Sequence, residues 1–379
     1  MKPILTTKRL VGLTILAMII LSACGLTPTA APTILPTAKL TSAPITVSAT
    51  SPPLPTVALE TATITTTPTL SAVSAELQDI SAAVYLDDRS TPATLMLSYF
   101  NAVNRKEYLR AYSYYTEFTT VGSLGSFSDG YGETDQVSVV FGDISADGAA
   151  GSIYFTVPVV LTATTTANTE QKFAACYVLR LPQAQNFAEP PITPMQIERG
   201  TGQPIPLSTL DSDALAMACQ PPDFPVGANT APAVVESMDD ISADNYIDNR
   251  SDAVAVLSSY LNAINAKEYV RAYSYWQTPV ENYKAFAEGF DTTESVSVQF
   301  GVVQQDAGAG QLNYSLPVAM KSTLEDGSRK TYVGCYHLHL SNPSIQGRFP
   351  YQPLGITEAM VNLVENSADI SSLLTTACQ

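Results

Sequence analysis

The sequence is poor in charge: Asp, Glu, Lys and Arg make up 14% of its 379 residues, and acids outnumber bases 35 to 19. With a formal net charge of −16 it offers no basic surface for DNA or RNA, whose binding draws on Lys and Arg contacts to phosphate. A nucleic-acid partner is not expected. Histidine is nearly missing, with only His337 and His339. There is no GxxxxGK[ST] loop, no GxGxxG fingerprint, no GxSxG elbow and no CxxC pair. Nothing therefore points to a phosphate cradle, a dinucleotide cofactor, a serine nucleophile on a sharp turn or a cysteine-rich zinc site. No cofactor is expected. Aromatic residues are absent before Tyr85, so the first fifth of the chain cannot build an ordinary core.

What that first fifth does contain is ordered by type. Lys2, Lys8 and Arg9 precede the apolar run "VGLTILAMIIL", too short for a comfortable permanent span, and the run ends in "LSAC". This looks like a bacterial lipobox. On that resemblance residues 1–23 form a lipoprotein signal peptide, and Cys24 becomes an acylated N-terminus. The chain is then exported and held by lipid on the outer face of a membrane. Residues 24–75 are dominated by Thr and Pro with almost no charge. Such composition favours extended and polyproline conformations, a stalk of up to ~150 Å at ~3.1 Å per residue.

Beyond the stalk the chain repeats itself. "DISAAVYLDDRS" at 79–90 returns as "DISADNYIDNRS" at 240–251, and "YFNAVNRKEYLRAYSYY" at 99–115 as "YLNAINAKEYVRAYSYW" at 260–276. The offset is 161 there and 159 from Phe127/Phe286 to the C-terminus. Copies of this length are domains rather than solenoid units, and the expected boundaries are 76–220 and 238–379, with a Pro-rich linker over 221–237. In each copy apolar residues fall at i, i+3, i+4, i+7 (Met96, Tyr99, Phe100, Val103; Leu257, Tyr260, Leu261, Ile264). That spacing predicts a helix with one buried face. A second short helix carries Tyr108, Ala111, Tyr112 and Tyr115 or their counterparts. Alternating strands follow at 137–141, 151–162 and 172–181, and Asp326-Gly327 suits a tight hairpin turn. Helices first and an antiparallel sheet afterwards indicate an α+β fold. The Gly/Ala-rich stretches 146–151 and 306–310 read as turns, as do the acid-Gly-aromatic triplets at Asp129 and Glu288, whose glycines should take positive φ.

Four cysteines remain after Cys24, and they admit three pairings. Cys176 and Cys219 lie 43 residues apart, as do Cys335 and Cys378. Pairing within each copy lets each domain close on itself and suits an exported chain. Each bridge should tie the last long strand to the domain's C-terminal segment.

The two aromatic helical stretches resemble the opening helices of the NTF2-like superfamily, whose members often carry Tyr-x-x-Ala-hydrophobic-Asn-x-x-acidic-Tyr near their start; the style is that of SnoaL-like and extracytoplasmic lipoprotein members. The resemblance covers both copies. It implies two cone-shaped folds, helices against a curved antiparallel sheet, each with a cavity between the layers. Because the superfamily includes ketosteroid isomerases, it implies that Tyr99 and Tyr260 match a donor tyrosine. Asp129 and Glu288 are the acids nearest the expected base position. The competing reading makes Tyr99 and Tyr260 half-buried core residues. His337 and His339, two apart on one strand, point to one face and could seed a zinc site, although copy one has Val178 and Arg180 there. The leading expectation is a non-catalytic module that binds an envelope protein or a small ligand, because no catalytic constellation is shared by the copies. The alternative is an isomerase- or hydrolase-type enzyme acting on a small apolar ligand in one cavity.

Overall fold

The computed structural model describes residues 79–116, 121–220, 229–230, 240–279 and 281–379. The signal segment, Cys24, the stalk and all but two linker residues lie outside the described residues.

The first copy runs α1 (Pro92–Asn104), α2 (Tyr108–Tyr112), α3 (Leu124–Gly130), β1 (Thr134–Phe141), β2 (Ser145–Ala149), β3 (Ser152–Thr165), β4 (Glu170–Pro182), β5 (Gln196–Ile205) and α4 (Asp211–Ala218). A two-residue strand from the linker, β6 (Asn229–Thr230), pairs with β2. The second copy repeats the order element by element. Its helices are α5 (Ala253–Asn265), α6 (Tyr269–Tyr273) and α7 (Tyr283–Glu288), and its strands are β7 (Thr293–Phe300), β8 (Gln304–Gly308), β9 (Gln311–Leu324), β10 (Arg329–Ser341) and β11 (Gly355–Val364). It ends in α8 (Ile370–Thr376). Two antiparallel sheets result, β5-β4-β3-β2-β6 with β1 on β3, and β11-β10-β9-β7 with β8 on β9. The α+β class expected from element order is the class observed.

The long helices start at side-chain caps. Thr91 forms a capping box with Thr94, and Asp252 accepts from the Ala255 N–H. Their apolar faces then pack on the sheet: Leu95, Met96, Tyr99, Phe100 and Val103 are all almost fully buried. Tyr99 is 1% exposed, so it is a core residue rather than a half-buried one. The polar members of the repeated stretch have structural jobs. Asn101 Oδ1 accepts from the Leu86 N–H and from Arg110, while its Nδ2 donates to the Ser81 and Val84 carbonyls. Arg110, fully buried, is paired with Glu107 at 2.6 Å. Asn262, Glu268 and Arg271 repeat this network. Asn104 and Asn265 clamp the first strand of each sheet through the N–H and C=O of Val137 and of Val296. Satisfied on every side, these buried groups fix how the N-terminal loop meets the helices.

Several turn expectations need correction. Residues 146–149 and 304–308 belong to β2 and β8, and the turns are confined to Ala150-Gly151 and Ala309-Gly310, where both residues take positive φ. That is the geometry of a two-residue hairpin matching strand twist. The acid-Gly-aromatic triplets end short helices instead: Gly289 has φ −61°, and Gly130 is likewise outside the positive-φ set. The cysteine pairs form as expected, Cys176–Cys219 and Cys335–Cys378, with Cα separations of 5.1 and 5.0 Å. Cys176 and Cys335 lie on β4 and β10, which are not the last strands, since β5 and β11 follow them. The bridges hold α4 and α8 against the sheet side away from the long helices, where Ala214 packs on Val160 and Ala174, and Leu374 on Ala319 and Val333.

The copies meet through the repeated segment preceding each long helix. Asp88 and Asn249 form an antiparallel bridge, flanked by Arg89 N–H to Asp248 C=O at 2.7 Å and Arg250 N–H to Asp87 C=O at 2.6 Å. Ser251 and Ser90 hydroxyls accept reciprocally from the Asp87 and Asp248 N–H groups, each at 2.9 Å. This is the exchange an isologous twofold interface demands, made within one chain. Beside it Asn249 Nδ2 donates to Asp88 Oδ2 at 3.3 Å.

Candidate functional site

The second copy holds two adjoining cavities of about 240 Å³ each between its short helices and its sheet. Their shared wall is Tyr260 from α5, Phe290 after α7, Tyr336 from β10 and Val361 from β11; Trp276 and Phe286 close one lobe, Met320 and Thr293 the other. The rings meet at edge-to-face or tilted angles, Tyr260 with Trp276 at 6.2 Å and Phe286 with Phe290 at 5.3 Å between centroids. Thr292, Ser322 and Lys330 add polar groups to the second lobe, while the shared wall is apolar and aromatic, as is usual in small-molecule sites.

Two polar groups face one another within it. The Trp276 indole Nε1 is buried without a hydrogen-bond partner, lying beside the Tyr260 hydroxyl but outside good bonding geometry. Burial, reinforced by the neighbouring Tyr336, pushes the Tyr260 phenol well above its ordinary pKa. It therefore stays neutral and can donate. A buried N–H left without a full partner costs about 1–3 kcal/mol.

Among the described residues of the first copy, the corresponding space is occupied by a hydrogen-bonded aromatic cluster. Tyr99 and Tyr131 hydroxyls lie 2.6 Å apart, and the Tyr115 hydroxyl donates to Tyr99 at 3.4 Å. Phe100 and Tyr177 pack against Tyr99 at 4.8 and 6.4 Å. In the second copy Tyr131 becomes Phe290, Tyr115 becomes Trp276 and Phe100 becomes Leu261. Those three exchanges remove the hydroxyl bridge and one ring. On the outer strand, Tyr177 faces Gly200, where a Cβ would stand 2.6 Å from its ring, whereas Tyr336 faces Ala359.

Of the residues singled out in the sequence, Tyr260 lines the cavity and Tyr99 belongs to the closed cluster of the first copy. Asp129 and Glu288 join neither: both are exposed, and Glu288 lies 3.7 Å from Lys284 along α7. The acid that lines the cavity is Glu281, exposed at its edge. His337 and His339 do share a strand, but each has hydrogen-bonding neighbours, Ser315 Oγ at 3.1 Å for His337, and Gln277 and Gln311 Oε1 at 3.1 and 2.6 Å for His339. Among the described residues no group of three or more His, Cys, Asp or Glu is arranged to hold a metal. The sequence reading missed Trp276, Phe290 and Tyr336. The signal for them lay in the differences between copies rather than in the likeness. Comparison with protein-family models, with curated proteins and with solved structures finds no match to this chain.

Proposed function

We propose that the chain is an exported lipoprotein, anchored through Cys24 to the outer face of a bacterial membrane, whose second domain binds a small apolar or aromatic molecule. Both domains are read as NTF2-like cones, a reading supported by long helices laid on an antiparallel sheet in the same order twice. The observation that carries the binding function is the aromatic cavity of the second domain with its unsatisfied Trp276 N–H. Domain one is then scaffold. It closes its own centre around Tyr99 and holds domain two through the reciprocal bridge. The copies are unequal at their centres, so two equivalent sites acting by avidity are not part of this proposal. The acids expected for isomerase-type chemistry, Asp129 and Glu288, stand outside the cavity, and Glu281 lies exposed at its edge.

Trp276 is the only tryptophan of the chain and sits in the cavity wall, so its fluorescence reports occupancy directly. Titration with N-phenyl-1-naphthylamine should quench Trp276 saturably. The double substitution Leu261→Phe with Phe290→Tyr, which restores two of the three exchanged side chains of the first copy, should abolish the quenching. Unsaturable quenching, or quenching unchanged in the filled variant, would remove the proposal.

A further inference from the structure

A third cavity, of about 220 Å³, lies where the two domains meet, and it arises from a break in their symmetry. On one side of the interface Tyr351 of domain two reaches domain one: its hydroxyl lies 2.8 Å from that of Tyr85, which in turn donates to Asp87. The position matching Tyr351 in domain one is Ile192, and the residue matching Tyr85 is Tyr246. Isoleucine carries no hydroxyl and does not fill the space of a tyrosine. The Tyr246 hydroxyl consequently makes no hydrogen bond among the described residues, and Tyr246 and Ile192 both line the cleft. Asp248 lines it too. It is 4% exposed, and its Oδ1 accepts from Tyr275 at 2.9 Å while its Oδ2 has no hydrogen bond among the described residues. A donor and an acceptor are thus left facing one small space, whereas on the pseudo-symmetric side Tyr351 bonds the Tyr85 hydroxyl and Tyr85 bonds Asp87.

The charge around that space is balanced. Arg250 lies 3.7 Å from Asp248, Arg89 lies 4.0 Å from Asp87, and Arg271 is paired with Glu268. A charged ligand would gain little net attraction there and would give up its hydration. A neutral molecule bearing several hydroxyls can donate to Asp248 and accept from Tyr246 and Arg250 at once. The rings of Phe349 and Tyr351 with Pro350 supply apolar faces for its C–H groups. We propose that this interdomain cleft is a second binding site, for a single neutral sugar ring or a polyol of similar size, with Tyr246, Asp248 and Arg250 as its hydrogen-bonding residues. The proposal is independent of the aromatic cavity of domain two.

The test is saturation-transfer NMR on the full chain in detergent micelles, with glucose and N-acetylglucosamine as probes and with acetate and ethylammonium as charged controls. Transfer to at least one sugar, in preference to both charged probes, is expected. Ile192→Tyr should abolish it by supplying the missing plug, without lowering the unfolding temperature. Tyr246→Phe, which removes only the hydroxyl, should weaken binding by about 2- to 10-fold and guards against misfolding of the bulkier variant. No transfer to either sugar would mean that the cleft holds water only, and preferential binding of a charged probe, or binding untouched by both substitutions, would equally overturn the assignment.

Discussion

Replacing Asn249 by Asp tests the reciprocal interface at its centre. Asn249 Nδ2 lies 3.3 Å from Asp88 Oδ2, so Asn249→Asp sets two carboxylates against each other. Burial already pushes the Asp88 carboxyl up to about 6, with Asp248 and Asp87 adding repulsion and Ser90 hydrogen bonds opposing it. Two like charges at that distance repel by ~5 kcal/mol at an effective dielectric of 20. The pair can escape by binding one proton, which at pH 7 costs ~4 kcal/mol relative to an unfolded carboxyl, at ~1.4 kcal/mol per pH unit. The smaller figure decides, so the variant should lose ~4 kcal/mol at pH 7. The sign of the pH dependence follows from a pKa raised by folding. The stability is present below the unfolded pKa near 4 and is lost as pH rises through the folded value, so the deficit should shrink to ~1 kcal/mol at pH 4.5. The exchanged pair Asp88→Asn with Asn249→Asp should recover most of the loss, because the twofold relation makes the positions equivalent. Urea unfolding followed by Trp276 fluorescence from pH 4.5 to 7.5 measures all three proteins. A loss below 1 kcal/mol at pH 7, or an equal loss at both ends of the range, would refute the reasoning.

Two further variants test how each domain is held together. Replacing Cys176 and Cys219 by Ala should lower stability by up to ~4 kcal/mol, the loop-closure value for a separation of 43 residues, and the first effect should be protease cleavage near α4; a variant as stable as the parent contradicts this. Gly334→Ala would put a Cβ 2.0 Å from the Met360 carbonyl oxygen and 2.6 Å from the Val361 Cα, backbone atoms that cannot swing aside. A loss of ~1–3 kcal/mol is expected by thermal denaturation, whereas an unchanged melting temperature would show that β11 yields.

The duplication, the α+β class, the first two helices of each copy and both disulfides were legible because each depends on local period or on spacing compared between copies. β5 and β11 were not, since they are edge strands whose outer residues are polar in one copy, "ERGTGQP", and mixed in the other, "TEAMVNL", so neither shows clean alternation. The buried network of Asn101, Glu107 and Arg110 was also overlooked, although its signal was present: polar residues retained in both copies of a helix pair whose packing needs only apolar ones. The reciprocal interface could not be read from either copy alone, because its hydrogen bonds run from each "D[DN]RS" segment to the other. The cavity depended on exchanges such as Tyr131 for Phe290, whose effect appears only once Tyr99 and Tyr131 are seen to share a hydrogen bond.

The central claim is that one domain of the pair binds and the other supports it. Isothermal titration calorimetry of the full chain with N-phenyl-1-naphthylamine counts the sites. The account predicts one site per chain, lost in the Leu261→Phe, Phe290→Tyr variant, with a negative heat-capacity change from apolar burial. Two equal sites, or one that survives the filled cavity, would contradict it.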